Sequence, residues 1–266
     1  MRSVSVIIPA WGDTPWLAEA VASVKRQQHI ELELIVVAPP DGKPQTAIAA
    51  RMEGVKRASG EYVTFVDADD EFIGDDAVAQ MVEAAEADGA DVLCAGFVRS
   101  TGERLPPLDI WQCAPSDIFN AMYAKLFRRE LFDGIELNLS IRLGEDLAAV
   151  AQALYRAHRV KTLPKAVYRY RDNTESITHR QDGRSRVNDI KKVGELLARR
   201  LPKREYDWFF DRVTRDALLL MLRHRVFDRQ LWRELRGRLS SPLLGDTRHG
   251  FVKKGALAIA DCVLNR

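Results

Sequence analysis

Four short apolar runs, alternating with helical stretches, restrict this chain to very few architectures. Val4-Ser5-Val6-Ile7-Ile8-Pro9 reads as a central strand ended by a proline, which has no N–H for a ladder. Leu32–Val37, Glu61–Val66 and Asp91–Val98 have the length and β-branching of further buried strands. Between them, Pro15–Gln27, Thr46–Ala58 and Asp75–Ala87 carry apolar residues at helical spacing. Pro15 suits a first helical turn, and Ser59-Gly60 and Gly89 suit helix stops. Strand–helix–strand repeated in this way predicts βαβ units, hence an α/β fold with a mostly parallel sheet and helices on both faces.

Asp67-Ala68-Asp69-Asp70 stands where the third strand breaks into a loop. In open α/β sheets ligands bind outside the carboxyl ends of the strands, which is where this cluster falls. Carboxylates at short range repel unless a cation or a shared proton compensates them. Hard oxygen ligands of this kind suit Mg²⁺ or Mn²⁺. A solvated acidic turn capping the helix near Asp75 accounts for the same residues, and the two readings stay open at this level.

Further along, Arg99–Pro115 contains Pro106-Pro107 and reads as a loop or short hairpin. Ser116–Phe132 and Glu145–His158 are predicted helices, and Val160–Leu163 and Ala166–Tyr170 short strands. Beyond Ser185 only amphipathic helices are expected, over Ile190–Leu201, Glu205–Arg225 and Gln230–Leu239. The polar run Gln181–Ser185 marks the expected boundary between a domain over 1–183 and a basic helical region over 184–266. Charge divides at the same place: residues 184–266 hold 20 Lys+Arg against 10 Asp+Glu, a balance of +10, which leaves −8 for the first 183 out of an overall +2. The basic end suits an anionic membrane surface, an anionic acceptor or a partner chain, although Arg-rich helices are also simply soluble. Trp208, Phe209 and Trp232 lie among its arginines at spacings that suit helix packing, so no nucleic-acid partner is expected. The 3 cysteines are too scattered for a disulfide framework. Without a secretory leader or an apolar run of about 18 residues, the expected location is the cytoplasm, with contact at the inner membrane face as an option.

The order of these motifs resembles the bacterial family-2 glycosyltransferases of the GT-A fold, over roughly residues 3–178. The resemblance runs through Val6-Ile7-Ile8-Pro9-Ala10-Trp11, Ala50-Arg51-Met52, Ala58-Ser59-Gly60-Glu61-Tyr62 and Asp67-Ala68-Asp69-Asp70. It continues through Lys125-Leu126-Phe127 with Leu131-Phe132, then Gly144-Glu145-Asp146, and ends in Tyr168-Arg169-Tyr170-Arg171 with Ser176-Ile177. What it implies is a Rossmann-like GT-A sheet followed by a helical C-terminal region. It also implies an inverting, metal-dependent transfer of a sugar from a nucleotide-diphosphate sugar, UDP-linked sugars among them, to a hydroxyl. The implied acceptor is a glycan or lipid-linked sugar in cell-surface polysaccharide or glycolipid synthesis.

By the same resemblance Asp146 is the general base, kept ionised by its place at a helix N-terminus. Pro9, Trp11, Arg51, Asp67, Arg171 and Ser176 would bind the donor, Asp67 at its ribose and Arg171 with Ser176 at its diphosphate. Asp69, Asp70 and His179 would hold Mn²⁺ or Mg²⁺.

Departures from the family pattern cluster around the nucleobase. The base-reading carboxylate expected after the second strand is Ala38, followed by Pro39-Pro40-Asp41-Gly42, and Gly12 and Met52 replace two usual asparagines. A catalytically degenerate module that binds sugar nucleotide or glycan is therefore the alternative. A phosphotransferase with Asp67 as nucleophile fits poorly, because Glu71 stands where Thr or Val is wanted.

Overall fold

The computed structural model describes residues 2–10, 15–38, 46–101, 104–105, 121–173 and 183–203. The chain divides into two compact units, Met1–Leu139 with Glu145–Thr174, and Ser140–Gly144 with Glu175–Arg266.

The first unit is built on β1 (Ser3–Pro9), β2 (Glu31–Val37), β3 (Tyr62–Phe65), β4 (Glu71–Phe72), β5 (Val92–Arg99), β6 (Arg104–Leu105), β7 (Lys125–Arg128) and β8 (Val160–Tyr170). Its helices are α1 (Leu17–Lys25), α2 (Ala47–Arg57), α3 (Ala77–Asp88) and α4 (Glu145–Arg156). The sheet runs β2-β1-β3-β7-β5-β8-β4, with β6 paired to β5. Helical crossovers make β1 parallel to β2 and to β3, and β5 parallel to β8. Since β7 is antiparallel to both β3 and β5, these parallel strands all end on one edge. There the Val66 N–H still donates to the Ile7 carbonyl at 3.1 Å, so order persists up to the acidic turn.

Burial explains the strands' composition. Val4, Val6 and Ile8 point into a cluster with Val66, Phe72, Val78, Met81, Leu93 and Tyr168. Phe65, Phe127 and Phe132 meet edge to face, with ring centroids 5.3–6.2 Å apart. Gly60, expected as a helix stop, has another role: a Cβ there would fall 2.6 Å from the Ser5 backbone nitrogen. The helix itself ends at an extended Ala58, whereas Gly89 is the left-handed cap expected of it, at φ 60°.

Two expectations need correction. Residues 121–132, expected within a helix over 116–132, form a turn, then β7, then a 3₁₀ turn over Arg129–Phe132. Lys125–Arg128 lies between β3 and β5 with its first three residues buried, so pairing on both sides overrides helical propensity. The two strands expected between 160 and 170 are one, β8. Its register against β5 slips between Leu163 and Ala166, which places Pro164, with no N–H to offer, in a bulge. The short β4, antiparallel to β8, had no sequence signal beyond its Phe.

In the second unit, α5 (Gly183–Arg200) is amphipathic, with Val187, Ile190, Val193, Leu196 and Leu197 buried. Asp189 caps the adjoining segment by accepting the Arg142 and Leu143 N–H groups at 2.9 and 3.0 Å. The helices expected over 205–225 and 230–239 lie outside the described residues.

Candidate active site at the carboxyl ends of the strands

The acidic turn closes on itself, the Asp70 N–H donating to the Asp67 carbonyl at 3.0 Å. Because β4 runs back along β8, the end of β8 lies against this turn and anchors it. The Tyr168 hydroxyl donates to Asp70 Oδ2 at 2.7 Å and accepts the Asp67 N–H at 3.1 Å. The Arg171 N–H donates to Asp70 Oδ1 at 2.7 Å. Asp70 is thus 2% exposed, with both oxygens committed to the turn. Burial first, and then the Asp67 charge, push its carboxyl well above the usual carboxylate range.

Asp69 accepts the Asn173 side-chain amide at 3.0 Å, and its backbone carbonyl accepts Arg171 Nε, also at 3.0 Å. Its carboxyl is raised too, mainly by burial, with the Asp67 charge adding to it. Arg171 continues outward, its guanidinium 5.3 Å from the Trp16 ring and 2.7 Å from Glu19 at the start of α1.

The decisive contact comes from α2. Arg51, 4% exposed, places one nitrogen 2.7 Å from Asp146 Oδ1 and another on Asp67 Oδ1. It thereby clasps the exit of β3 to the first turn of α4. Burial acts to lower its pKa, but the charges of Asp146, Asp67 and Glu145 outweigh that and raise it, so it stays charged. Helix starts hold the clasp in register: Thr46 caps α2 by accepting the Ala49 N–H at 3.1 Å, and Glu145 accepts the Ile48 N–H at 3.2 Å. Arg51 Nε is buried without a hydrogen-bond partner among the described residues.

Asp146 also accepts the Met122 N–H at 3.4 Å and keeps 22% of its side chain exposed. Its carboxyl is raised, not lowered as the helix-dipole argument had it: burial leads, and exceeds the opposing effect of Arg51. Nearby, Tyr123 stacks on Tyr168 at 4.8 Å with the rings 6° apart, and Tyr170 lies 5.6 Å from Tyr123. Lys125 is buried with its ammonium 2.7 Å from the Ala121 carbonyl, and burial pushes its pKa down.

Of the residues singled out in the sequence, Arg51, Asp67, Asp69, Asp70, Asp146 and Arg171 form one connected network. Pro9 is buried at the end of β1. Trp11, Ser176 and His179 lie outside the described residues. Tyr168 and Asn173 were not singled out as site residues. The alternation of Tyr168 and Tyr170 with Arg169 and Arg171 could have flagged the first, whereas nothing flagged Asn173.

Among the described residues no group of three His, Cys, Asp or Glu is assembled to hold a metal. Magnesium-type cations, however, commonly take only one or two protein carboxylates, with phosphates and water completing the shell. Asp69 on the turn is a carboxylate that suits a site of that kind.

Residues 41–137 match the sequence profile of Glycosyl transferase family 2. Over this segment, which holds α2, β3 and the acidic turn, the chain is similar to the family-2 glycosyltransferases. Uncharacterized glycosyltransferase EpsJ of Bacillus subtilis is 27% identical over 216 residues, covering 66% of this chain and 62% of that protein. This chain therefore spans less than two thirds of that relative's length. Succinoglycan biosynthesis protein ExoO of Rhizobium meliloti is 24% identical over 264 residues, covering 84% and 72%. For the fold, the structure of S. aureus TarS 1-349 in complex with UDP-GlcNAc superposes with a TM-score of 0.66 at 16% identity, covering 100% of this chain and 91% of that one. The chain thus has the GT-A, Rossmann-like fold, with the acidic turn at the carboxyl end of β3.

Proposed function

We propose that this protein is an inverting glycosyltransferase that moves a sugar from a nucleotide-diphosphate sugar to a hydroxyl of a glycan or lipid-linked acceptor. The observation that carries this reading is the Arg51 clasp, which holds a partly buried, raised-pKa carboxylate, Asp146, beside the acidic turn. A base with a raised pKa accepts a proton more readily, and such tuning is common where a carboxylate must act near neutral pH. Asp146 takes the proton of the acceptor hydroxyl as its oxygen attacks the anomeric carbon. The bond to the diphosphate oxygen breaks on the opposite face, so configuration inverts.

Asp67, with one oxygen on Arg51, has the other for the donor ribose, while Arg171 and, by the resemblance, Ser176 would bind the diphosphate. Asp69, with His179, would hold Mn²⁺ or Mg²⁺, which would neutralise charge on the departing diphosphate, and Asp70 supports the turn through Tyr168 and Arg171. Support for the donor class comes from the GT-A fold shared with a UDP-GlcNAc complex, and for polysaccharide synthesis from the likeness to ExoO. The proposal extends to domains over 1–183 and 184–266, the second meeting acceptor, partner or the inner membrane face in the cytoplasm. No helix among the described residues is long and apolar enough to cross a membrane.

The test is hydrolysis of a panel of UDP-sugars with Mn²⁺, comparing wild type with Asp146→Asn. Loss of about 10²–10⁴-fold is expected for removal of a general base. Unchanged turnover in that variant refutes the role. A second reading, binding without turnover, is favoured by the exposed Ala38 at the exit of β2, where a base-reading carboxylate is absent. Saturable UDP-sugar binding with no hydrolysis under any metal would establish it.

A further inference from the structure

Lys125 takes no part in the transfer described above, yet it is buried at the start of β7, 3% exposed. A buried ammonium is costly unless it is hydrogen-bonded and its charge is compensated. In the sheet its partner on β5 is Cys94. Burial pushes the Lys125 pKa down, and Cys94 and Asp146 act against that. Its ammonium donates to the Ala121 carbonyl at 2.7 Å. That carbonyl shares a peptide group with the Met122 N–H, which donates to Asp146 Oδ2 at 3.4 Å. A trans peptide directs its C=O and N–H to opposite edges. The Ala121–Met122 peptide therefore stands between the ammonium and the carboxylate, its acceptor on the first and its donor on the second.

A charged partner polarises a peptide and strengthens the hydrogen bond on its far side. At 3.4 Å the Met122 contact is long for an N–H···O bond, so it gains from a polarised donor. Arg51 holds Oδ1 of Asp146, and the Met122 N–H holds Oδ2. Two anchors fix the plane of a carboxylate that one would leave to rotate, and each oxygen keeps a lone pair for an incoming hydroxyl. The turn that carries the peptide is itself held. Ala124 adopts a left-handed φ of 52°, its carbonyl accepts the Ala95 N–H at 2.9 Å, and Tyr123 stacks on Tyr168. Among the described residues, the other charged or titratable groups around Asp146 are Arg51 of α2, Asp67 of the acidic turn, Glu145 beside it and Tyr123. Burial and then Asp67 favour the neutral carboxyl, whereas Arg51, the Met122 N–H and Lys125 favour the carboxylate.

We propose that Lys125 is a positioning residue for Asp146, acting through the Ala121–Met122 peptide to fix the orientation of the carboxylate that takes the acceptor's proton. That this carboxylate is the general base rests on the glycosyl-transfer reading above; the relay from ammonium to carboxylate does not.

The experiment follows the Asp146 carboxyl carbon and the Met122 amide of the full chain by NMR as pH is varied, and measures UDP-sugar hydrolysis over the same range. In wild type the Met122 amide should shift with the midpoint of the Asp146 carboxyl. An amide that stays still while the carboxyl titrates overturns the relay, and needs no variant to do so. Lys125→Met, close in length and uncharged, should move the Asp146 midpoint up by about one pH unit, the scale of a nearby opposite charge removed. The acid limb of hydrolysis should move with it. At neutral pH kcat should fall about tenfold, a part of what a whole general base contributes, with KM for the UDP-sugar unchanged. Lys125→Gln also drops the charge and should give the same midpoint, which separates charge from packing. A lowered urea midpoint in these variants with Asp146 titrating as in wild type marks a merely structural lysine and overturns the proposal. If neither variant folds, the wild-type amide decides. A shifted carboxyl midpoint in a protein that hydrolyses no UDP-sugar keeps the relay and removes the general-base reading. Hydrolysis whose acid limb is the same with and without Lys125 keeps the transfer reading and removes the relay.

Discussion

Replacing Arg51 with Met should unsettle the protein more than any other single change at the site. The guanidinium is 5% exposed and serves two carboxylates, Asp67 and Asp146, whose side chains are 24% and 22% exposed. Removing one partner of a buried ion pair typically costs about 3–5 kcal/mol, because the other charge is left uncompensated. Here two charges are left, but each keeps an edge in water, so about 3 kcal/mol is expected. That is a large fraction of the roughly 5–15 kcal/mol that stabilises a domain.

The loss should also depend on pH in a defined direction. Asp146 already has a raised pKa in the folded protein, and without Arg51 it rises further. A carboxyl that binds its proton more tightly folded than unfolded destabilises the fold as pH climbs above its unfolded value. The gap between wild type and Arg51→Met should therefore be widest near pH 7.5 and shrink toward pH 5. Urea unfolding at several pH values, read as midpoint shifts at constant m, measures it. A gap below about 1 kcal/mol at pH 7.5, smaller than the stated range for a broken buried pair, or a gap that widens in acid, would refute the clasp as a source of stability.

Two further outcomes follow from the same geometry. Tyr168→Phe removes the hydroxyl that serves Asp70 and the Asp67 N–H, and should cost about 1–3 kcal/mol and lower UDP-sugar hydrolysis; hydrolysis equal to wild type would show that the turn holds without it. The acid limb of the hydrolysis rate should lie above the pKa of an unperturbed aspartate, activity falling as pH drops through the raised pKa of Asp146; a limb below that of an unperturbed aspartate would remove Asp146 as the base.

Much of the site was legible because its chemistry is local. Three aspartates at the end of a buried strand can be read directly, and so can an acidic pair opening a helix. The clasp could not be read in this way. Arg51 lies 16 residues from Asp67 and 95 from Asp146, and nothing in its own neighbourhood distinguishes it from a solvated helical arginine. The resemblance suggested donor contact for Arg51, whereas the structure commits two of its nitrogens to carboxylates. The direction of the Asp146 shift is hidden for the same reason: the helix start is visible in sequence, but the burial that outweighs it is not.

Periodicity and turn chemistry act over a few residues, and they alone determined the βαβ order of β1–β3, the left-handed glycine stop of α3, and the acidic turn at the exit of β3. Tertiary structure decided what depends on partners distant in sequence. It made Lys125–Arg128 a strand by supplying neighbours on both sides, joined Pro164 into β8 through a bulge, and turned Arg51 from a surface cation into the buried link between two carboxylates. Burial is the common cause, since it selects which local preference prevails and which charges must find each other.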